Sequence, residues 1–182
     1  MATSVPLARC PVPSGRAVRV ILIGLGGNLP TARHGPPRET LEAALAALAG
    51  VGVAAISRSR WYLTAPVPRS DQPDFVNGVI AASTTAEPTD LLTLLHRVEE
   101  TFGRVRSVPN AARPVDLDLL DYNGLLRDGE PPILPHPRLH QRAFVLYPLR
   151  DVAPGWVHPR LGKSVDALIG ALPPDQPIRV LV

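Results

Sequence analysis

The sequence predicts an α+β protein with a ferredoxin-like β-α-β-β-α-β core, in which helices pack on an antiparallel sheet. The apolar patterns follow the order strand, helix, strand, strand, helix, strand, which is the order of that fold. The chain of 182 residues is long enough for one domain with a real core, and its 45% hydrophobic and 19% charged residues are ordinary for a globular protein. We assign residues 1–16, rich in Pro, Ser and Arg, to a flexible N-terminal extension and residues 17–182 to a single domain with a C-terminal extension of the core.

The first strand is predicted by the β-branched, apolar run from Val18 to Ile23, and the segment Gly24–Asn28 is expected to end it. The glycines do not form a dinucleotide-binding G-x-G-x-x-G motif, because Leu29 occupies the position of the third glycine. A tight turn that brings the backbone close to a ligand remains open.

Two helices are predicted by apolar stripes at helical spacing and by a glycine after each stripe. The first stripe comprises Leu41, Ala44, Leu45 and Leu48, before Gly50, and the second comprises Leu91, Leu95, Val98 and Phe102, before Gly103. Between the helices we expect a strand over residues 53–62, a proline-stiffened loop over 64–73 and a strand over 75–83.

In the strand over 75–83, Phe75 and Asn77 share one face because strand side chains alternate. An aromatic ring beside an amide suits a flat, polar heterocycle, since the ring can stack and the amide can bind an edge. The plainer interpretation is a partly buried Phe and an Asn near a turn.

The last strand of the core carries Asp116 and Asp118 on one face, while Val115, Leu117 and Leu119 point into the core. Two carboxylates this close favour a hard cation such as Mg²⁺, although a solvated polar face would give the same pattern. Five basic residues flank the pair along the chain: Arg104, Arg106, Arg113, His136 and Arg142. In the ferredoxin-like arrangement, the open face of the sheet carries Phe75, Asn77 and the two aspartates together.

After the core, the segment around Pro135 and Pro137 is expected to be extended. A short helix is predicted from Gln141 to Leu149, a final helix from its cap at Ser164 to Leu172, and an edge strand over residues 178–182.

Almost all positively charged residues are arginine, since Lys163 is the only lysine. The formal net charge is +3. Arginine suits bidentate contact with phosphate, so a phosphate-bearing partner is one interpretation, and a bias of genomic composition is the other. The single Cys10 indicates a reducing compartment, and the sequence has neither an apolar run of membrane-spanning length nor a signal-peptide pattern. We expect a cytoplasmic protein with no membrane or nucleic-acid partner, and a monomer with a weak dimer as the alternative.

From about Val18 to about Trp156 the chain resembles the 6-hydroxymethyl-7,8-dihydropterin pyrophosphokinase family. The resemblance rests on five ordered motifs: Gly27-Asn28-Leu29, 71–77 (DQPDFVN), 99–106 (EETFGRVR), 113–118 (RPVDLD) and 135–144 (PHPRLHQRAF). It implies transfer of pyrophosphate from ATP to the hydroxymethyl group of the pterin, as a step of folate biosynthesis, with Mg²⁺ as the metal.

The resemblance also implies a role for each matching residue. Asp116 and Asp118 would hold two Mg²⁺ ions and would form the catalytic group together with Arg104 and Arg113. The ATP phosphates would contact Arg104, Arg106, Arg113, His136 and Arg142. The pterin would meet Thr64, Val67, Phe75, Asn77 and Phe144, with its ring between the two phenylalanines and its edge on Asn77. No general base is apparent, so the metal is expected to acidify the substrate hydroxyl.

The chain departs from the family pattern in the loop before the first aspartate, where residues 110–114 read NAARP and lack the tryptophan that is common there. His96, Pro131 and Pro137 also differ from the residues expected at their positions. These differences concern loop closure and nucleotide affinity more than the reaction itself.

Two other functions are compatible with parts of this pattern. An RNA-binding module can share a ferredoxin-like sheet, but it needs aromatic residues on the central strands, whereas this chain has eight aromatic residues in all and carboxylates on that face. A catalytically inactive relative that serves as a scaffold would not need the aspartates, arginines and histidine that the motifs retain.

Overall fold

A computed structural model describes residues 19–104 and 111–182. Within these residues the strands are β1 (Arg19–Gly27), β2 (Ala54–Arg58), β3 (Tyr62–Thr64), β4 (Phe75–Thr84), β5 (Asp116–Tyr122) and β6 (Ile178–Val180). The helices are α1 (Pro37–Gly50), α2 (Pro88–Thr101), α3 (Ala143–Val152) and α4 (Val165–Gly170), with one 3₁₀ turn at Leu139–Gln141. The extension over residues 1–16 and the predicted ATP contact Arg106 lie outside the described residues.

The strands form one antiparallel sheet in the order β5-β1-β4-β3-β6, with β2 also paired to β4. This is the predicted ferredoxin-like arrangement, but the strand expected over residues 53–62 is divided into β2 and β3. At the break, the backbone N–H of Val79 donates to Ser59 Oγ at 3.0 Å instead of to a carbonyl. The ring of Trp61 lies directly over Gly78, where a Cβ atom would be 2.7 Å from the ring. The packing of this tryptophan on a glycine therefore interrupts the strand.

Both faces of the sheet are covered. The core between the sheet and helices α1 and α2 contains Ile21, Ile23 and, as predicted, the alternate residues Val115, Leu117 and Leu119. A second core, which includes Leu22, Leu120 and residues of α3 and α4, lies on the face expected to be open. Among the residues that the structure describes, the end of that face beside the first turn of α3 is left accessible for a site.

The three glycines of this segment lie within β1, which continues to Gly27 and so ends four residues later than the sequence-based expectation. Gly24 pairs with Asp118, and Gly26 pairs with Asn77 on one side and Asp116 on the other. At Gly27 a Cβ atom would lie 2.2 Å from the carbonyl oxygen of Pro114. These glycines therefore allow the backbone of β1 to come close to its neighbouring strands and to the segment that leads into β5.

The C-terminal part follows the prediction with shifted ends. Helix α3 begins at Ala143, two residues later than expected, and continues to Val152. Ser164 caps α4 by accepting from the backbone N–H of Ala167 at 3.2 Å, and β6 is an edge strand paired with β3. No helix in the described residues is long and apolar enough to cross a lipid bilayer.

Candidate active site

Asp116 and Asp118 stand on the accessible face of β5, and three arginines from different parts of the chain surround them. Arg104, just after α2, and Arg113, just before β5, both form ion pairs with Asp116, the latter at 2.6 Å. Arg142, at the start of α3, lies 3.8 Å from the Asp118 carboxylate. The structure thus brings together five of the residues that the sequence analysis assigned to catalysis or ATP binding.

The two carboxylates affect each other electrostatically. Burial raises the pKa of the Asp118 carboxyl to about 6, and the neighbouring Asp116 carboxylate acts in the same direction, whereas the nearby arginines oppose the rise. The charged form of Asp118 is therefore under-compensated in the protein alone. A cation placed between the two carboxylates would relieve this repulsion.

The floor between the aspartates and the neighbouring strand is formed by glycines of β1. Gly26 separates Asn77 on β4 from Asp116 on β5, and a Cβ atom there would lie 3.1 Å from Asn77 Oδ1. Because these positions carry no side chains, the carboxylates and the amide of Asn77 border one depression.

All five residues predicted to meet the pterin line one cavity next to this depression. Its lining comprises Thr64, Val67, Phe75, Asn77 and Phe144, together with Gly26, Ala65, Arg113 and Asp116. Asn77 is held in place, since its Nδ2 donates to Thr64 Oγ1 at 2.9 Å and to the carbonyl of Phe75 at 3.3 Å. The cavity thus offers aromatic faces and a fixed amide beside the aspartates.

Two arginines link the aromatic cavity to the carboxylates. The guanidinium of Arg113 lies 5.5 Å from the ring centre of Phe75, and that of Arg142 lies 5.3 Å from the ring centre of Phe144. Each contact is within the range of a cation–π interaction. A ring bound between Phe75 and Phe144 would consequently sit beside groups suited to phosphate.

His136 lies in the extended segment that follows β5. Its backbone N–H donates to the carbonyl of Leu120 at 2.8 Å, and its Nδ1 accepts from the backbone N–H of Arg138 at 3.2 Å. Burial, followed by the positive charge of Arg142, lowers the pKa of His136 to about 4. The imidazole is therefore neutral at neutral pH, and since Nδ1 accepts, Nε2 carries the proton and can donate it to an anion.

Sequence reasoning missed the role of Glu99, a buried carboxylate in the last turn of α2. It pairs with Arg104 and accepts from the backbone N–H of Leu117, between the two aspartates, at 2.7 Å. A signal was present, because Glu99 lies four residues after Leu95 and so places a charge on the buried stripe of α2. The carboxylate connects α2 to the strand and to one of the site's arginines.

The role of Asn28, directly after β1, was also missed. Its side chain is buried, and its Oδ1 accepts from the backbone N–H of Arg113 at 2.9 Å while its Nδ2 donates to the carbonyl of Pro73 at 3.1 Å. Asn28 therefore ties the segment that carries Arg113 to the loop that leads into Phe75.

Comparison with known proteins places these features in a family context. The family model described as 7,8-dihydro-6-hydroxymethylpterin-pyrophosphokinase (HPPK) matches residues 22–154. Two relatives named 2-amino-4-hydroxy-6-hydroxymethyldihydropteridine pyrophosphokinase are each 38% identical to this chain. The Synechocystis protein aligns over 81% of this chain and 73% of its own length, and the Pseudomonas aeruginosa protein over 86% and 93%.

Solved structures share the fold. A crystal structure of Plasmodium falciparum HPPK-DHPS with pterin and p-hydroxybenzoate matches with a TM-score of 0.68 and 13% identity, covering 87% of this chain and 44% of that one. The wild-type protein from the same organism with pteroate matches with a TM-score of 0.67 and 13% identity, covering 86% and 45%. This chain therefore spans less than half the length of those Plasmodium chains.

Proposed function

The chain belongs to the 7,8-dihydro-6-hydroxymethylpterin-pyrophosphokinase family and transfers pyrophosphate to the hydroxymethylpterin in folate biosynthesis, and we propose that the cluster of carboxylates and arginines beside β5 performs this transfer. ATP is the donor, and AMP and the pterin diphosphate are the products. The observation that carries the assignment to this site is the position of Asp116, which borders the aromatic cavity and pairs with two arginines at once.

The donor groups fit magnesium. Asp116 and Asp118 supply carboxylate oxygens from one strand face, and Mg²⁺ is commonly held by one or two carboxylates with substrate phosphates completing its shell. We propose two ions, which Asp116 and Asp118 would hold when ATP is bound. When bound, the ions would neutralise charge on the transferring phosphates and acidify the attacking hydroxyl.

The residues of the chain position the two substrates. Phe75 and Phe144 sandwich the pterin ring, and Asn77, oriented by Thr64, hydrogen-bonds its edge. Val67 contributes to the cavity from the loop after β3. This arrangement directs the hydroxymethyl group toward the aspartates.

The arginines and His136 bind the triphosphate. Arg104, Arg113 and Arg142 surround the carboxylates, and His136 donates from Nε2. Arg106 is assigned to the same task from the family motif alone. The pterin hydroxyl loses its proton to water, its oxygen attacks the β-phosphorus, the bond from that phosphorus to the α,β-bridging oxygen breaks, and AMP leaves. Since no covalent protein intermediate forms, the contribution of the protein is positioning and electrostatic stabilisation.

The test is the formation of AMP from ATP, Mg²⁺ and 6-hydroxymethyl-7,8-dihydropterin. Wild-type protein should produce AMP only when the pterin is present, and Asp116→Ala should reduce turnover to background. Asp166→Ala is the matched control, because Asp166 is an exposed aspartate that also pairs with an arginine, Arg150, away from the site. Equal activity of the Asp116 and Asp166 variants would refute the assignment of this site. Location in the cytoplasm and the monomeric state stay predictions.

A further inference from the structure

The chain returns to the active site after the residues that match the family. The family model ends at residue 154, and the C-terminal segment, defined here as residues 173–180, follows α4. Its last part is β6, which pairs with β3 so that Ile178 lies opposite Thr64. The segment thus runs along the edge of the sheet that carries the aromatic cavity.

Within this segment the side chain of Gln176 binds the backbone at the start of α3. Its Oε1 accepts from the backbone N–H of Ala143 at 2.9 Å, and its Nε2 donates to the carbonyl of Gln141 at 2.9 Å. The first N–H groups of a helix need partners from outside the helix, and the N-cap residue Arg142 supplies no side-chain hydrogen bond. Gln176 therefore caps α3 from a position 33 residues further along the chain.

The two backbone groups that Gln176 binds flank Arg142, and Phe144 follows at the next position. Arg142 approaches Asp118, and Phe144 lines the aromatic cavity. Their side-chain directions depend on how the first turn of α3 is oriented. A contact that fixes residues 141–143 consequently fixes the placement of a phosphate-binding and a ring-binding side chain together.

The same segment supports the opposite wall of the cavity. Through β6 it pairs with β3, whose Thr64 accepts the hydrogen bond that orients Asn77. Between the loop after β3 and the C-terminal segment lies a cavity of about 330 Å³, lined by Val67 and Phe144 among others. Phe144 packs against the second core and also borders this cavity, so the hydrogen bonds of Gln176 add to that packing in fixing the first turn of α3.

We infer that Gln176 is a positioning residue for the reaction, whose amide holds the first turn of α3 so that Arg142 and Phe144 face the ATP and pterin subsites together. This inference rests on the proposed function of the site. It assigns to the C-terminal segment a part in substrate binding, in addition to completing the sheet.

The inference is tested by comparing Gln176→Leu, Gln176→Glu and the neighbouring Asp175→Asn in the 182-residue chain. Leucine is similar in size to glutamine but makes neither hydrogen bond. We expect the KM for both ATP and the pterin to rise about fivefold to tenfold in Gln176→Leu, because two hydrogen bonds at the helix start are lost. Glutamate can still accept from Ala143 N–H at the positive end of the helix, so Gln176→Glu should recover part of the loss.

Several outcomes would refute the inference. KM values of Gln176→Leu within twofold of wild type, or a fall in kcat alone, would overturn it, as would an equal effect of Asp175→Asn. If Gln176→Leu does not fold, the inference is tested by the kinetics of Gln176→Glu and by hydrogen exchange of the Ala143 amide in the folded protein. Rapid exchange of that amide in wild type, or unchanged protection in a variant with raised KM, would then refute the role. Absence of AMP formation by wild type would refute the proposed function instead, so the two failures are distinguishable.

Discussion

The buried carboxylate of Glu99 accepts a hydrogen bond of 2.7 Å from the backbone N–H of Leu117, the residue between Asp116 and Asp118. The same carboxylate pairs with Arg104, which in turn pairs with Asp116. Helix α2 is thereby connected to the backbone of β5 and, through Arg104, to the Asp116 carboxylate. The position of the two carboxylates that we propose to be catalytic therefore depends on a buried residue of another element.

Glu99→Ala should destabilise the protein by about 3 kcal/mol, because it leaves Arg104 and a buried backbone N–H without this partner. Glu99→Gln should cost less, since an amide oxygen can still accept from Leu117. Urea denaturation measures both changes. The control is Glu100→Ala in the same turn, where the side chain is exposed. Similar losses at positions 99 and 100 would contradict the role of Glu99.

Asp118→Asn should stabilise the protein in the absence of metal above pH 6. The folded state raises the pKa of Asp118 from 3.8 to about 6, so it binds this proton more tightly than the unfolded state does, and stability falls as the pH rises through that range. Asparagine cannot ionise and avoids this loss. Because the side chain is 38% exposed, solvent screening limits the gain to about 1 kcal/mol.

This gain should disappear below pH 3.8, where Asp118 is protonated in both states. Urea denaturation with a chelator present, repeated from pH 3.5 to pH 8, follows the difference between the variant and wild type. Asp166→Asn serves as the control for removing one exposed negative charge. A difference that did not change with pH would contradict the electrostatic explanation.

Magnesium should bind weakly to the protein alone and more tightly in the presence of nucleotide. Asp116 is already paired with Arg104 and Arg113, so its carboxylate is not free to bind a cation until phosphates engage the arginines. We expect the Kd for Mg²⁺ to fall by about tenfold or more with a non-hydrolysable ATP analogue, which corresponds to a coupling of about 1.4 kcal/mol. Calorimetric titration after correction for Mg²⁺ bound to the free analogue measures this, and equal affinities would contradict it.

Arg142→Ala should raise the KM for ATP at least about tenfold, since a charge-assisted contact to phosphate contributes about 1.5–3 kcal/mol. Arg150→Ala is a close control in the same helix: each arginine lies 5.3 Å from an aromatic ring, Phe144 or Tyr147, and each lies near an aspartate. Steady-state kinetics with ATP varied should distinguish the two positions. Parallel changes would indicate an effect of helix charge and not of phosphate binding.

Gly27→Ala should destabilise the protein by about 1–3 kcal/mol and reduce turnover, because the new Cβ would overlap the carbonyl oxygen of Pro114 and displace Arg113. Gly50→Ala at the end of α1 meets no atom within 4 Å and should be neutral or slightly stabilising. Thermal denaturation and the AMP assay together test this prediction. Wild-type stability and turnover of Gly27→Ala would contradict the close approach.

The sequence was sufficient for features that depend on local periodicity. The apolar stripes of α1 and α2 predicted both helices, and the alternation around Asp116 and Asp118 predicted which face of β5 enters the core. Motif order along the chain was enough to indicate the family, because each motif is a short contiguous segment. In these cases the feature is determined by residues that are close together along the chain.

The tertiary structure decided what depends on residues far apart in sequence. Glu99 and Leu117 are 18 residues apart, Asn28 and Arg113 are 85 apart, and Gln176 and Ala143 are 33 apart. None of these pairs follows from a helical or strand period, since the folding of the intervening chain sets which backbone group each side chain meets. For the same reason the break between β2 and β3 was not predicted, because it depends on Trp61 packing over a glycine of another strand. The residues that we propose for the site could thus be named from sequence, whereas the contacts that hold them in place are a property of the folded chain.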